Sequence, residues 1–207
     1  MKKKIDQQKS QFLKLALQEV PFSGWTLELL GNIEGKMHLD PGYSLILFES
    51  GIKDLVMFYE QSKDLEMLDK LALNKDELRI RDKIALAVRT RLEISNKAVV
   101  EKLLKFYSHP LNMGLGLKSA WNTADKMWYF AGDESTDYNY YSKRLLLSGV
   151  YSSTLIYYIS DDSKQNHKSW EFLDKRIASV LKIGNIKNIP KFFTKIKNKI
   201  PFIRLIK

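Results

Sequence analysis

Residues 115–155 read LGLKSAWNTADKMWYFAGDESTDYNYYSKRLLLSGVYSSTL, and the fold is decided here. Leu117, Trp121, Ala124, Met127 and Trp128 recur at helical spacing and predict a buried helix from about 115 to 132. Gly132-Asp133-Glu134-Ser135-Thr136 is a polar break rich in capping residues. A long helix is predicted from about 137 to 159, apolar or tyrosine-bearing almost all round. So many aromatics cannot all face one core, so part of this circumference must meet something else.

The same period continues outward in both directions. Downstream, Trp170, Leu173, Ile177 and Leu181 predict a helix over 168–181. Upstream, Asn74 and Glu77 form a capping-box pattern before the stripe of Ile84, Val88 and Leu92. Another helix spans about 96–107 and stops before Pro110. At the N-terminus a helix covers about 5–18 and Pro21-Phe22-Ser23-Gly24 breaks it. Thr26 caps a helix over 26–36, and Asp40-Pro41 opens a short one to Phe48. Past Gly51, Ile52, Leu55, Val56 and Tyr59 share one face of a longer helix. The expectation is an all-α fold: a helix-turn-helix-like region over 1–74, a helical bundle over 75–183 and a tail over 184–207.

The net charge of +10 is concentrated in that tail. Residues 182–207 hold eight Lys or Arg and no acid, which leaves 26 basic against 24 acidic residues elsewhere. The asymmetry favours a localised anionic partner over a nucleic-acid-binding face. Ile189, Phe192, Phe193, Ile196, Ile200 and Ile203 are spaced near-helically among Lys191, Lys195, Lys197, Lys199 and Arg204, the composition of an interfacial amphipathic helix. The expected membrane contacts are Phe192, Phe193, Lys195, Ile196, Lys199 and Ile200. Pro201 should kink or end that helix.

Catalysis finds little support. With no cysteine, thiolate nucleophiles, thiolate zinc sites and disulfides are excluded. His38, His109 and His167 show no zinc or di-iron spacing, and no phosphate-binding glycine loop or nucleophile elbow occurs. Glu34 with His38, and His167 with Glu171, are pairs one turn apart that could touch. Asp133 and Asp137 could pair as carboxylates, though capping is the simpler role. No cofactor or metal is expected. The helix-turn-helix region also lacks the chemistry to read DNA. Residues 41–48, PGYSLILF, carry no Lys, Arg, Asn or Gln, and Asp40 and Glu49 flank them.

Several motifs resemble one family in combination. They are Ala124-Asp125, Met127-Trp128, Ala131-Gly132-Asp133, Ser135-Thr136-Asp137, Asn139, Tyr141, Arg144, Gly149-Val150-Tyr151 and Trp170-x-Phe172-Leu173-x-x-Arg176-Ile177. Upstream, Val20-Pro21-Phe22-x-Gly24-Trp25-Thr26 and Ala87-Val88-Arg89-x-Arg91-Leu92 join them. The pattern is similar to the accessory proteins of ubiquinone biosynthesis known as coenzyme Q protein nine, over most of residues 16–183.

That resemblance implies a TetR-like helical fold that dimerises, has lost DNA binding and holds an apolar ligand in its C-terminal helices. It implies a non-catalytic protein that binds isoprenoid quinone intermediates, or another long-chain lipid, at an anionic membrane. The partner it implies is the di-iron hydroxylase acting on demethoxyubiquinone. A bundle with surplus apolar lining can shelter such a chain, with Trp121, Leu145, Leu155, Tyr158 and Leu173 as lining residues. The docking surface for the hydroxylase is expected at Met127, Trp128, Asp137, Tyr138, Asn139, Tyr140, Tyr141 and Arg144, rich in the residue types that anchor interfaces. A small-molecule-responsive transcriptional regulator is the alternative. The simpler expected location is the inner face of a bacterial cytoplasmic membrane, with the matrix face of the mitochondrial inner membrane as the other.

Overall fold

The computed structural model describes residues 2–73, 78–136 and 138–184. The Asn74–Glu77 capping box, Asp137 and the tail positions Phe192, Phe193, Lys195, Ile196, Lys199 and Ile200 lie outside the described residues. Among the described residues every α or β element is helical: α1 (Lys2–Ser23), α2 (Leu27–Lys36), α3 (Ser44–Leu47), α4 (Ile52–Ala72), α5 (Ile80–Glu93), α6 (Lys97–Ser108), α7 (Pro110–Ala131), α8 (Tyr138–Ile159) and α9 (His167–Gly184). A 3-10 turn, Lys164–Asn166, precedes α9. No helix among these residues is long and apolar enough to cross a membrane.

Caps account for most of the boundaries. Thr26 accepts a hydrogen bond from Leu29 N, and Asn96 accepts from Ala98 N and Val99 N. Gly132 takes φ +85° after α7, returning its own N–H and that of Asp133 to the last turn. Three expectations shift. Proline was expected to break the first helix, but α1 runs through Pro21 and stops at Gly24, φ +74°, because only the last turn is left to lose a bond. The helix expected from 115 begins at Pro110, where proline suits the first helical position and His109 Nδ1 accepts from Leu111 N. Gly114 and Gly116 disguised that first turn. Glu34 does not meet His38. Its two oxygens accept from Gly42 N at 3.1 Å and Ser44 N at 2.7 Å, tying α2 to the start of α3. Burial opposes that charge, but the bonds from Ser44 and Gly42 hold the carboxyl below its ordinary value.

The buried side chains form two clusters. Phe12, Val20, Leu29, Ile33, Leu47, Phe48, Leu55 and Tyr59 centre the first, between α1, α2, α3 and the start of α4. Met67, Leu71, Ala87, Leu92, Met127, Leu147, Val150 and Leu173 centre the second, between the end of α4 and α5, α7, α8 and α9. Both α4 and α6 contribute to each.

Where the clusters meet, α4 is fastened by charge. Arg91 pairs with Glu60 and with Asp64 at 3.0 Å, and donates to Ser95 Oγ at 2.7 Å. Asp64 also accepts from Thr123 at 2.9 Å and Lys126 at 3.0 Å, and Glu60 from Tyr107 at 3.2 Å. Buried carboxylates are retained only when satisfied in this way. Gly116 makes room for Tyr107: a Cβ there would lie 2.9 Å from Tyr107 Cγ, whereas one at Gly114 would meet nothing. Gly114→Ala should therefore gain up to about 1 kcal/mol of helix propensity. Gly116→Ala should instead lose net stability, because overpacking costs about 1–3 kcal/mol. Thermal melts that rise for both variants would show that Tyr107 yields freely.

Candidate functional site

The turn between α7 and α8 gathers the distinctive residues around one arginine. Arg144, one and a half turns into α8, is buried, with Nε on Asp125 and Nη1 2.9 Å from Asp133. Its guanidinium lies 3.5 Å from the Tyr140 ring centroid, a cation–π contact, and Tyr140 OH donates to Asp125 at 3.2 Å. Asp133 accepts from Lys143 at 2.6 Å and from Ser135 Oγ at 2.8 Å. Burial alone would raise the Asp133 carboxyl, but bonds from Lys143, Arg144 and Ser135 outweigh it and hold the pKa at about 2. Lys143 also passes 5.4 Å from the Trp128 ring centroid, and the Trp128 indole N–H donates to Lys143 O at 3.0 Å. The turn is thus held by charge rather than by a core.

Aromatics cover this ion network. Tyr140 and Tyr141 meet edge to face at 5.2 Å, and Trp121 of α7 lies 6.5 and 6.3 Å from them. Tyr141 is 61% exposed, and Tyr138 and Asn139 are also exposed. Two expected contact residues lie inside instead. Met127 is fully buried in the second cluster, and Arg144 is occupied by Asp125 and Asp133. Both can shape a docking surface but not supply its contact area. Asp125 was not assigned a role from the sequence, because its partner Arg144 lies nineteen positions away. Asp133 is an ion-pair anchor rather than a cap.

Of the expected lining residues, Leu155, Tyr158 and Leu173 come together in the second cluster. Trp121 is half-buried against the tyrosines, and Leu145 is 47% exposed on the outer face of α8. Two open clefts of about 410 Å³ each flank α8. One is bounded by Ile80, Trp128, Ala131, Gly132 and Lys143, the other by Tyr157, Asp161, Ser163 and Lys168. Neither is lined by the five expected residues. Among the described residues no cluster of His, Asp and Glu could hold a metal. Leu45 and Ile46, the residues that α3 turns outward, offer no donor to a base edge.

Residues 113–184 match the COQ9 family model. The matched segment is, within a few residues, α7 through α9, and the ion network and its aromatic cover lie on α7, α8 and the turn between them. The chain is 31% identical over 193 residues to ubiquinone biosynthesis protein COQ9-B, mitochondrial, of Xenopus laevis, covering 87% of this chain and 64% of that protein. It is 28% identical to the mitochondrial COQ9 proteins of Rattus norvegicus and Homo sapiens, covering 87% of this chain and 61% and 59% of theirs. The chain thus spans under two-thirds of the length of these relatives. In structure it is similar to a TetR transcriptional regulator from Nitrosomonas europaea, with TM-score 0.63 at 13% identity over 83% of this chain and 97% of that one. The fold is therefore all-α and TetR-like.

Proposed function

We propose that this chain is a non-catalytic accessory protein of ubiquinone biosynthesis. In this reading it binds an isoprenoid quinone intermediate at an anionic membrane and presents it to the di-iron demethoxyubiquinone hydroxylase. What carries the reading is the coincidence of the COQ9 match with α7–α9, the part of the molecule with exposed aromatics over a buried ion network. The relatives' names supply the pathway. They also favour the mitochondrial of the two expected locations. The hydroxylase docks at the α7–α8 turn, with Tyr138, Tyr140 and Tyr141 as contacts and Arg144 and Met127 as support. A second copy packs along the outer faces of α7 and α8, where Leu117 (73% exposed) and Leu145 stand and Ser148 Oγ donates to Ala120 O. DNA regulation is disfavoured by the apolar outer surface of α3.

The ligand claim is tested on protein released gently from membranes of the expressing cell. Native mass spectrometry should show a bound isoprenoid lipid that organic extraction identifies as a quinone or its precursor. Protein that emerges ligand-free, and takes up no added quinone analogue, would overturn the lipid-binding part of the proposal.

A further inference from the structure

The two buried ion networks meet on α7, within a single turn. From one side, Asp64 of α4 accepts from Thr123 Oγ1 at 2.9 Å and from Lys126 Nζ at 3.0 Å. From the other, Asp125 accepts from Arg144 Nε and from Tyr140 OH at 3.2 Å, both on α8. Residues two apart on a helix stand about 200° apart around its axis, so Thr123 and Asp125 leave α7 on nearly opposite sides. One turn of α7 is thus gripped between α4 and α8.

The two grips differ in depth. Asp64 and Thr123 are buried, and Asp64 is anchored to α5 as well, through Arg91 Nε at 3.0 Å. Asp125 is partly open to water. The inner grip therefore holds the outer one in place. Between them, Ala124 and Met127 pack in the second cluster. Apolar contact is non-directional and tolerates a small rotation of the helix about its axis. Hydrogen bonds do not. With side chains reaching roughly 5–6 Å from the axis, a rotation of about 20° would carry the Asp125 carboxylate about 2 Å. That displacement breaks a hydrogen bond. Arg144 would lose a partner, and Tyr140, whose ring centroid lies 3.5 Å from the guanidinium, would move with it, as would Tyr141 beyond.

We infer that Thr123, backed by Lys126, is a positioning residue for the aromatic surface at the α7–α8 turn. Bound to Asp64, it fixes the rotation of α7, and through Asp125 the places of Arg144, Tyr140 and Tyr141. The inference rests on the docking reading proposed above and adds to it an inner support that touches no partner.

Two substitutions in the full-length chain separate positioning from packing, because Thr123 is fully buried and no partner can touch it. Thr123→Val keeps nearly the same shape and removes the hydroxyl, whereas Thr123→Ser keeps the hydroxyl and removes a methyl. In pull-down of the hydroxylase, Thr123→Val should weaken capture by about threefold or more. Thr123→Ser should capture like the wild type, even where the lost methyl lowers its melting temperature. Amide hydrogen exchange on the unbound protein gives the second readout. Thr123→Val should speed exchange in the first two turns of α8, and Thr123→Ser should leave it unchanged. If Thr123→Val exchanges there like the wild type, or if both variants lose capture in step with their melting temperatures, Thr123 is only a packing residue and the inference is wrong. Failure of the docking reading looks different: Tyr141→Ala would then capture the hydroxylase fully, and exchange in α8 alone would decide whether Thr123 positions the turn.

Discussion

Arg91→Met should be among the most damaging single substitutions in this protein. It removes the cation between Glu60 and Asp64, both of which are buried with it. Lys126 still reaches Asp64, but Glu60 keeps only Tyr107 among the bonds described above. Breaking a buried pair from one side costs about 3–5 kcal/mol. At this chain length a kilocalorie moves the midpoint by about 2–4 °C, so the melt should fall by roughly 6–20 °C. The deficit has a pH signature. Burial raises the Glu60 carboxyl even with Arg91 beside it, and without Arg91 it rises further. A carboxyl raised in the folded state contributes stability that is present at acid pH and lost as pH climbs through its folded value. The gap between variant and wild type should therefore widen as the pH rises above the ordinary glutamate range. The triple variant Glu60→Gln/Asp64→Asn/Arg91→Met should recover much of the loss by removing the stranded charges. A single variant that melts within about 2 °C of wild type would show that the network fastens nothing.

Local order was legible from the sequence to the degree that it is local. Thr26, Asn96 and Gly132 act within one turn of themselves, so their pattern is visible in the chain and the helices begin and end as they dictate. The apolar stripe of Ile84, Val88 and Leu92 is equally plain, and all three are buried. What stayed hidden was partnership across distance. Glu34 looked like a helix-face neighbour of His38, and nothing in the chain marks Gly42 and Ser44 as its acceptor's donors. Nothing in the chain links Glu60 and Asp64 to Arg91, 31 and 27 positions away, yet the folded chain closes them on one another. The same blindness affected the proposed docking site. Arg144 stood out as an interface residue by type, but its two carboxylates come from α7 and the following turn, and they turn it inward. Around it the tyrosines keep the outer position that their crowding on one helix required.

That division between inner arginine and outer tyrosine sets the last expected result. On the docking proposed above, Tyr141→Ala and Arg144→Ala should both weaken capture of the hydroxylase, for different reasons and with different companions. Tyr141 is mostly exposed and touches only Trp121 and Tyr140 among the rings described. Its removal should leave the melt nearly unchanged while binding falls by about 2 kcal/mol, roughly thirtyfold. Arg144→Ala strands the buried Asp133 with Lys143 alone and leaves Asp125, which is partly open to water, without its arginine. Removing one side of such a pair should cost about 3 kcal/mol of stability, the lower end of the range for buried pairs. Asp133 titrates near 2, below its unfolded value, so the stability its ion pairs confer is present above the unfolded value and lost as pH falls towards 2. The variant's deficit should accordingly be full at neutral pH and shrink only in strong acid. Arg144→Lys keeps the charge but not the fork that spans Asp125 and Asp133, and should recover stability only in part. Pull-down and melting of the three variants separate the roles. Should Arg144→Ala keep its melting temperature while losing the partner, the arginine touches the hydroxylase directly. Should Tyr141→Ala retain full binding, the docking surface lies elsewhere on the molecule.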